Sequence, residues 1–542
     1  MSLVVRIFKE ERKDLLLGLL IALLAFIVYA NSLGNGFVYD DDPVVVSNPA
    51  LNGDVLALFS GIDATDTDIN PYYRPLTLIT FLIEKRLHAH TAFLMHLFNV
   101  LFHAANAFLV YLLARTLISN RYSALLAGLL FAVHPINTEC VDFISARNNI
   151  LSGFFILTSY LVHERSVRHE KTAGAFAAAI LFLAGLFSKE TTLAALPFFC
   201  FLEITSLRSL DLVRRRKSFA RLIPYVVCTA LYLVLRNNAL SSAGAKLVIL
   251  PGLLTRLSEN LYIIPHYLLT LICPTALSPI YTIPEDLNVL ALPLFLGWLS
   301  ILGILGWLLT KGLTPATLFG SAWLIIFLLP VSGIIYFPSA PMADRYLYVP
   351  AIGVWLIISD QAVRLLPVGN STRRYYIVAV TLLLLLLAGL TFNRNFDWKN
   401  EIDLFTKVVK QYPNEAPGHA QLGHAYSHAY AKESFNDKYV YLSEQEFEKA
   451  LALEPALKNV HAPLGSIRFA RGDFDEALYH YTEALKNQPY DKESLLFRAM
   501  VLEKFGRNIE AASDYELFLS APGRSLAELR PYAEARVREL SK

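Results

Sequence analysis

Apolar segments long enough to cross a bilayer recur along the first 391 residues of this chain. A membrane helix needs about 20 mostly apolar residues, because the hydrocarbon core is about 30 Å thick and holds no water to satisfy the backbone. The sequence is 55% hydrophobic and only 17% charged, which is too apolar for a soluble protein of 542 residues. The pattern therefore predicts an all-α polytopic membrane bundle. The apolar segments are 15–31, 94–114, 122–135, 148–163, 173–187, 191–206, 222–235, 259–273, 288–310, 315–332, 347–366 and 375–391.

Basic residues mark alternate connections between these segments. Lysine and arginine accumulate in cytoplasmic loops, so such clusters set the orientation of a membrane protein. If 259–273, which contains Pro265, lies in the interface or re-enters instead of crossing, every basic connection falls on one side. The sequence then predicts about eleven spans, a cytoplasmic N-terminus, and everything after Thr391 on the outer side. The predicted outer loops are 32–93, 134–147, 188–190, 236–287 and 333–346.

The composition changes after Thr391, where apolar runs end and charged residues increase. Pro455 and Pro489 lie one 34-residue period apart, the spacing of the tetratricopeptide repeat. We predict a membrane domain over 1–391 and a tetratricopeptide α-solenoid over 392–542. Such stacked helix pairs typically bind a peptide or another protein, and the alternative is a structural cap without a ligand. Repeat positions are occupied by Leu464, Gly465, Gly472, Ala477, Tyr481 and Ala484, and by Gly506, Ala511, Tyr515 and Phe518.

Three consecutive aspartates follow the first apolar segment, in the stretch FVYDDDPVVVSNP. Asp42 precedes Pro43, so the plainest interpretation of Asp40, Asp41 and Asp42 is an acidic turn. However, an ionised carboxylate at the end of a membrane span is costly and is by default a functional candidate. Adjacent like charges also raise a carboxyl pKa, which suits a general base, and they attract divalent cations.

A second polar stretch, FAVHPINTECVDFISARNN, covers residues 131–149 and falls on an outer loop. Its His134, Glu139, Asp142 and Arg147 are side chains that bind metals or hold protons. The spacing matches no stringent metal motif. The alternative is a polar interfacial loop with a proline-capped helix end.

Cations on the predicted outer side form a third group. Basic residues are usually cytoplasmic, but this group contains Arg74, Lys189 and Arg345. An anionic ligand such as phosphate would explain their position on the outer side. The alternatives are contact with lipid headgroups or an ion pair to Glu190 or Asp344, which adjoin two of these cations.

Other function classes are excluded or unsupported by the sequence. A net charge of +2 lacks the basic excess of a nucleic-acid-binding protein. The chain has neither a GxxxxGK[ST] nor a GxGxxG phosphate loop, so no soluble nucleotide site is indicated. The four cysteines are far apart, and their spacing predicts neither a zinc site nor a disulfide framework.

The order of these motifs resembles a known family. GFVYDDDPVVVSNPAL, YYRPLT, FAVHPINTECVDFISARNNILS, FSKET and ADRYLYVP precede the repeats, and together they cover nearly the whole chain. This arrangement resembles the TMTC proteins, the transmembrane and tetratricopeptide-containing O-mannosyltransferases, and their bacterial relatives. The resemblance implies a GT-C-type membrane bundle that transfers a sugar, mannose in the first instance, from a polyprenyl-phosphate-linked donor to an acceptor hydroxyl.

The resemblance also implies roles for individual residues. An acidic residue of the first outer loop acts as the base in an inverting displacement, and the family's acidic pair falls on Asp40 and Asp41. A divalent ion (Mg, Mn or Ca) is the implied cofactor, with Asp41, His134 and Glu139 as its candidate ligands. The candidate ligands of the donor phosphate are Arg74, Arg147, Lys189 and Arg345. The candidate supporting residues are Asp42, Glu190, Asp344 and Tyr346.

The expected partners are a lipid-linked sugar and an exported protein whose Ser or Thr hydroxyl is presented by the repeats. The short repeat array favours a bacterial inner membrane, with the repeats in the periplasm. Two alternatives remain open at this point. One is a non-enzymatic scaffold or assembly factor that uses the spans as an anchor, and the other is a GT-C transferase with a lipid or glycan acceptor.

Overall fold

The computed structural model of the chain describes most of its residues. The described residues are 2–60, 72–87, 91–170, 172–206, 212–242, 252–284, 295, 297–299, 301–303, 306, 310, 313–332, 334, 340–364, 370–432, 437–521 and 526–540. They contain helices and short helical turns and no β-strand. The chain divides into two compact units. The first comprises Met1–Asp63 and Pro71–Asn400, and the second includes Glu401–Lys542.

The described residues of the first unit are mostly helical, and several of the helices are long. In chain order, its α-helices are α1 (Ser2–Tyr29), α2 (Ala57–Ser60), α3 (Pro75–Leu87), α4 (Ala92–Leu117), α5 (Arg121–Val133), α6 (Thr138–Asp142), α7 (Arg147–Arg168), α8 (Thr172–Ser188), α9 (Ala195–Ser206), α10 (Leu212–Ser242), α11 (Leu253–Ile272), α12 (Pro315–Leu328), α13 (Ala351–Arg364) and α14 (Asn370–Arg394).

Four helices of the described residues are long and apolar enough to cross a membrane. They are Arg12–Gly34, Ala92–Leu117, Arg216–Ser241 and Arg373–Trp398, and each contains one of the predicted segments. A fifth candidate is the pair Arg121–Val133 and Pro135–Asp142, which is bent by 48°. The bend follows from Pro135, which disfavours helical backbone at His134 and ends α5 there.

Shorter apolar helices account for further predicted segments. They are Ala173–Ser188, Pro315–Val331 and Ala351–Ala362. Helices α12 and α13 approach closely, since a side chain at Gly320 would lie 2.7 Å from the backbone oxygen of Gly353. Small residues allow such approach between membrane helices. Most of the predicted segment 288–310 lies outside the described residues, and the total of about eleven spans stays a prediction.

The second unit consists of helices that pack in sequential pairs. Gly465 lies against the ring of Tyr481, and Gly423 lies against Phe447 in the same way, so the small residue of one helix receives the aromatic ring of the next. Gly472 ends its helix with a left-handed φ of +87°, a conformation that favours glycine. The helices are α15 (Glu401–Gln411), α16 (Ala416–Lys432), α17 (Asp437–Leu453), α18 (His461–Arg471), α19 (Phe474–Asn487), α20 (Lys492–Lys504), α21 (Asn508–Ser520) and α22 (Arg530–Leu540).

Candidate functional site

Four loops of the first unit meet and bring most of the predicted site residues together. We call 37–42, 134–149, 188–192 and 343–348 the site loops. Ser145 bonds to Asp41 across 104 positions of sequence, and Arg345 bonds to Glu139 across 206 positions. Short 3₁₀ turns, including Ile144–Ala146, Glu190–Ala194 and Asp344–Leu347, hold these loops between helix ends.

The three adjacent aspartates lie in three different environments. Asp41 is fully buried and accepts three hydrogen bonds. Its Oδ1 accepts from the backbone N and the Oγ of Ser145, both at 2.7 Å, and its Oδ2 accepts from the backbone N of Val38 at 3.0 Å. Burial raises the pKa of Asp41 to about 7, although these hydrogen bonds oppose the shift. Asp41 therefore ties the first site loop to the second.

Asp40 is only partly enclosed, and among the described residues its carboxylate has no hydrogen-bond donor. Burial raises its pKa, and the nearby Arg345 opposes that rise. Asp42 is exposed, and its Oδ2 accepts from Ser47 Oγ at 3.2 Å. Of the three aspartates, Asp40 combines an available carboxylate with a place beside a cation.

Glu139 and Arg345 form a charged pair inside the site loops. The guanidinium of Arg345 donates to Glu139 Oε1, and the backbone N of Arg345 donates to Oε2 at 2.7 Å. Arg345 also lies over the ring of Tyr346, 5.3 Å from its centroid. These two hydrogen bonds fix the orientation of Arg345. The sequence had offered the adjacent Asp344 as an alternative ion-pair partner. The carboxylate of Asp344 instead accepts from the hydroxyl of Tyr281 at 2.7 Å.

Arg74 is committed to Glu190. Its Nε and Nη2 donate to the two carboxylate oxygens at 2.9 and 2.7 Å, and its guanidinium lies 4.0 Å from the centroid of Tyr72. Burial alone raises the pKa of a carboxyl group, but the ion pair with Arg74 outweighs burial and lowers the pKa of Glu190 to about 2. Arg74 thus fits the alternative that an outer cation forms an ion pair with Glu190 instead of binding an anion.

Lys189 is a buried cation that forms no ion pair with the described residues. Its side chain is close to fully enclosed, and no carboxylate of the described residues forms an ion pair with its ammonium group. Nζ donates to Asn149 Oδ1 and lies 5.3 Å from the ring centroid of Tyr346. Burial and the neighbouring charge of Arg74 lower the pKa of Lys189 to about 7. Because no carboxylate of the described residues pairs with it, this ammonium group can bind an anion when it is charged.

A pocket opens at Lys189. Its cavity volume is small, about 20 Å³, which is room for about one water molecule. Its lining combines the two cations Lys189 and Arg345 with neutral polar groups and an apolar wall, the usual composition of a ligand pocket. The remaining lining residues are Asn149, Ser152, Ile156, Thr191, Phe327, Val331, Tyr346, Val349 and Pro350.

Arg147 does not line this pocket, contrary to the prediction that it binds the donor phosphate. It is fully buried and pairs with Glu84 at 2.6 Å. Its guanidinium also donates to Asn99 Oδ1 at 2.7 Å and to the backbone oxygen of Met95 at 2.8 Å, and it lies over the ring of Phe81. Because these contacts occupy its donors, we remove Arg147 from the phosphate-binding set.

The predicted metal ligands do not form a metal site. His134 uses both ring nitrogens, since Nε2 lies 3.1 Å from Leu271 O and Nδ1 accepts from the backbone N of Ile136. Asp41 is occupied by Ser145, and Glu139 by Arg345. Within the described part of the chain, no group of three or more His, Cys, Asp or Glu side chains could hold a metal ion. These residues do not fit a divalent cation, and no step below depends on one.

The pattern of charged residues did not identify the neutral side chains of the site. Ser145, Asn148, Asn149 and Ser152 are all buried at the start of α7. Amide and hydroxyl side chains near a helix start are common in any protein, since they also serve as caps. The only available signal was their position within the stretch that already carried Glu139.

Comparisons with known proteins confirm the predicted resemblance to the TMTC proteins. A protein O-mannosyl-transferase of Caenorhabditis elegans is 28% identical over 426 residues, which cover 75% of this chain and 59% of the relative. The human protein O-mannosyl-transferase TMTC3 is 26% identical over 440 residues, covering 73% of this chain and 48% of the relative. The chain thus spans about half to three fifths of the length of these curated relatives.

Among solved structures, the crystal structure of an oligosaccharyltransferase from Archaeoglobus fulgidus aligns with this chain. It is 14% identical, has a TM-score of 0.42, and is aligned over 73% of this chain and 57% of its own. No protein-family model matches the chain.

Proposed function

We propose that this chain, which is similar to TMTC-type protein O-mannosyl-transferases over about three quarters of its length, is an integral-membrane glycosyltransferase. Its donor is a sugar, mannose in the first instance, carried on a polyprenyl phosphate. Its acceptor is a Ser or Thr hydroxyl of an exported protein. The reaction takes place on the outer face of the membrane, where the site loops lie in the predicted topology.

One observation carries this proposal. A buried cation that forms no ion pair with the described residues lies in a pocket, and the second cation of that pocket interacts with the carboxylate of Asp40. Lys189 is the first cation. Arg345 lines the same pocket and interacts with Asp40. Transfer of a glycosyl group from a phosphate requires a base for the acceptor and positive charge for the leaving group. In this proposal Asp40 is the base, and the adjacent Arg345 and Lys189 supply the positive charge.

The proposed step is a direct displacement at the anomeric carbon. The carboxylate of Asp40 takes the proton of the acceptor hydroxyl. At the same time, the oxygen of that hydroxyl forms a bond to the anomeric carbon. The bond from that carbon to the phosphate oxygen breaks, and the phosphate leaves with the electron pair towards Lys189 and Arg345. A single displacement inverts the anomeric configuration. A product with retained configuration would rule this step out.

Asp40 serves better than Asp41 as the base. Both oxygens of Asp41 already accept hydrogen bonds from Ser145 and Val38, so a substrate hydroxyl would have to displace one of them. Asp40 has no such donor among the described residues, and its partial burial raises its pKa. A carboxylate with a raised pKa accepts a proton more readily. We assign Asp41 to holding the loop that presents Asp40.

The remaining parts of the proposal concern the rest of the chain. We place about eleven spans in the first unit, with the N-terminus in the cytoplasm of a bacterial cell and the second unit in the periplasm. The pairwise helix packing and the glycine–aromatic contacts of the second unit support a tetratricopeptide solenoid. In this proposal the solenoid presents the acceptor protein to the site loops.

The test is transfer of radiolabelled mannose from polyprenyl-phosphate-mannose to periplasmic protein in membranes that contain the chain. Asp40→Asn should lower the transfer rate about 10²–10⁴-fold at equal protein level, because it removes the base. Asp54→Asn is the matched control, since Asp54 is an exposed aspartate of the same predicted loop. Equal rates for Asp40→Asn and wild type would contradict the assignment. Absence of transfer from any polyprenyl-linked sugar would favour the scaffold alternative.

A further inference from the structure

The site loops contain a continuous chain of hydrogen bonds that runs from the acidic loop to the pocket. Asp41 Oδ1 accepts from Ser145, and the backbone oxygen of Ser145 accepts from Asn148 Nδ2 at 2.9 Å. Asn148 Oδ1 accepts from Asn149 Nδ2 at 3.0 Å, and Asn149 Oδ1 accepts from Lys189 Nζ. Ser145, Asn148 and Asn149 are each more than nine-tenths buried.

The orientation of the Asn149 amide is fixed by its own donors. Its Nδ2 donates to the backbone oxygen of Ala146 at 2.9 Å as well as to Asn148. Both partners are acceptors, so the amide nitrogen must face them and the carbonyl oxygen must face the pocket. Lys189 therefore meets an acceptor that is held in place before any ligand binds.

The neutral character of this acceptor matters for the charge of the pocket. Arg74 is matched by Glu190, and Arg345 is matched by Glu139. An aspartate at position 149 would occupy nearly the same volume but would match Lys189 as well. The amide instead holds the ammonium group by a hydrogen bond and adds no negative charge beside it.

We propose that Asn149 is a positioning residue that holds Lys189 in the pocket without neutralising it, so that the ammonium charge is reserved for the phosphate of the donor. This inference rests on the proposed function for the identity of the anion. It deepens that function by adding a neutral side chain to a site otherwise described by its charges. Asn149 acts through Lys189 and need not touch the reacting atoms.

The titration of Lys189 gives a measurement that does not depend on activity. Charging Lys189 is disfavoured by burial and by the arginines, and is favoured by Glu190. A carboxylate at position 149 adds a favourable charge, which raises the pKa of Lys189. An alanine there removes a hydrogen-bond acceptor of the charged form, which lowers the pKa further. The titratable or charged groups that interact with Lys189 are Arg74, Cys140, Glu190, Arg345 and Tyr346.

The experiment is pH-dependent acetylation of the detergent-solubilised full chain by acetic anhydride, with Lys189 quantified by mass spectrometry. Asn149→Asp should raise the midpoint pH of labelling by about one unit or more, and Asn149→Ala should lower it. Asn120→Asp is the matched control, because Asn120 caps α5 and an aspartate caps a helix equally well. This control should leave the midpoint at its wild-type value.

Protection by decyl phosphate, a simple alkyl phosphate, is measured in the same samples. In the wild type it should shield Lys189, and Asn149→Asp should raise the concentration for half protection about tenfold. Midpoints that do not move, or that move in one direction for both variants, would overturn the inference. The two variants are judged separately, so one that does not fold leaves the other to decide.

The outcome is distinguishable from failure of the proposed function. Opposite midpoint shifts together with phosphate protection, but without sugar transfer from any donor, would retain Asn149 as the organiser of an anion pocket and reject glycosyl transfer. Transfer activity with unchanged Lys189 midpoints would retain the enzyme and reject the role of Asn149.

Discussion

An ion pair beside the site loops of the first unit and an ion pair of the second unit differ sharply in exposure. In the first unit, Arg147 and Glu84 form an ion pair in which the side chains are 0% and 1% exposed. In the second unit, the paired side chains of Arg507 and Glu510 are 47% and 56% exposed. A buried ion pair cannot lose one member cheaply, whereas an exposed pair contributes little. The first pair is therefore part of the buried structure, and the second is a surface contact.

The largest effect is expected from removing one member of the buried pair. Arg147→Met leaves Glu84 buried without its partner, which should cost about 3–5 kcal/mol of stability. The measurement is the thermal unfolding midpoint of the full chain in detergent. Adding Glu84→Gln should restore part of the loss, because it removes the orphaned charge. A single variant as stable as wild type would show that Arg147 is dispensable in the core.

The next largest effect is expected from a change of buried volume in the second unit. A side chain at Gly465 would lie 2.8 Å from the ring of Tyr481, so Gly465→Ala should destabilise the pair by about 1–3 kcal/mol through overpacking. Hydrogen exchange of the full chain, followed in α18 and α19, checks this. Tyr481→Leu in the same chain should relieve part of the strain. Unchanged exchange in Gly465→Ala would mean that the helices separate at no cost.

The pH dependence of transfer should come from the site loops. The base must be ionised, so the rate should fall as pH decreases through the raised pKa of Asp40. The ammonium of Lys189 must be charged, and its pKa is lowered to about 7, so kcat/KM should also fall about tenfold per unit above that pH. A profile of kcat/KM against pH tests both limbs. A rate that keeps rising well above neutral pH would exclude the charged Lys189.

The smallest effect is expected at the exposed pair. Arg507→Ala removes a contact between two solvent-exposed side chains, and water and salt screen such pairs. The unfolding midpoint of the full chain should match that of wild type within error. A clear loss of stability would remove the contrast between the two regions.

The helix contacts of the second unit are more local in sequence than the contacts of the site, while the repeat fold itself stays a prediction. Pro455 and Pro489 gave the repeat period, and the period implies which helix meets the next, so the contact of Gly465 with Tyr481 is a local consequence. The apolar segments likewise predicted long helices such as Ala92–Leu117. Both results depend on periodicity within a short stretch of chain.

The partners within the site loops depend on contacts that no local pattern contains. Arg74 meets Glu190 across 116 positions, and His134 meets the backbone of Leu271 across 137. The sequence identified Arg147 and His134 as polar groups on an outer loop and assigned them to ligands. Each was satisfied instead by the nearest group that folding supplied, because a buried polar atom must find a partner. The neutral Asn149 was missed because its role depends on Lys189, 40 positions away.

A chain of hydrogen bonds also fixes a distance within the site. It runs from Asp41 through Ser145, Asn148 and Asn149 to Lys189. Each link is a direct contact between buried groups, so the loop that contains Asp40 and the ammonium group of Lys189 cannot move apart independently. The fold therefore sets the separation of these two groups before any ligand binds. If the proposed transfer takes place here, that separation limits the size of the sugar that fits between them.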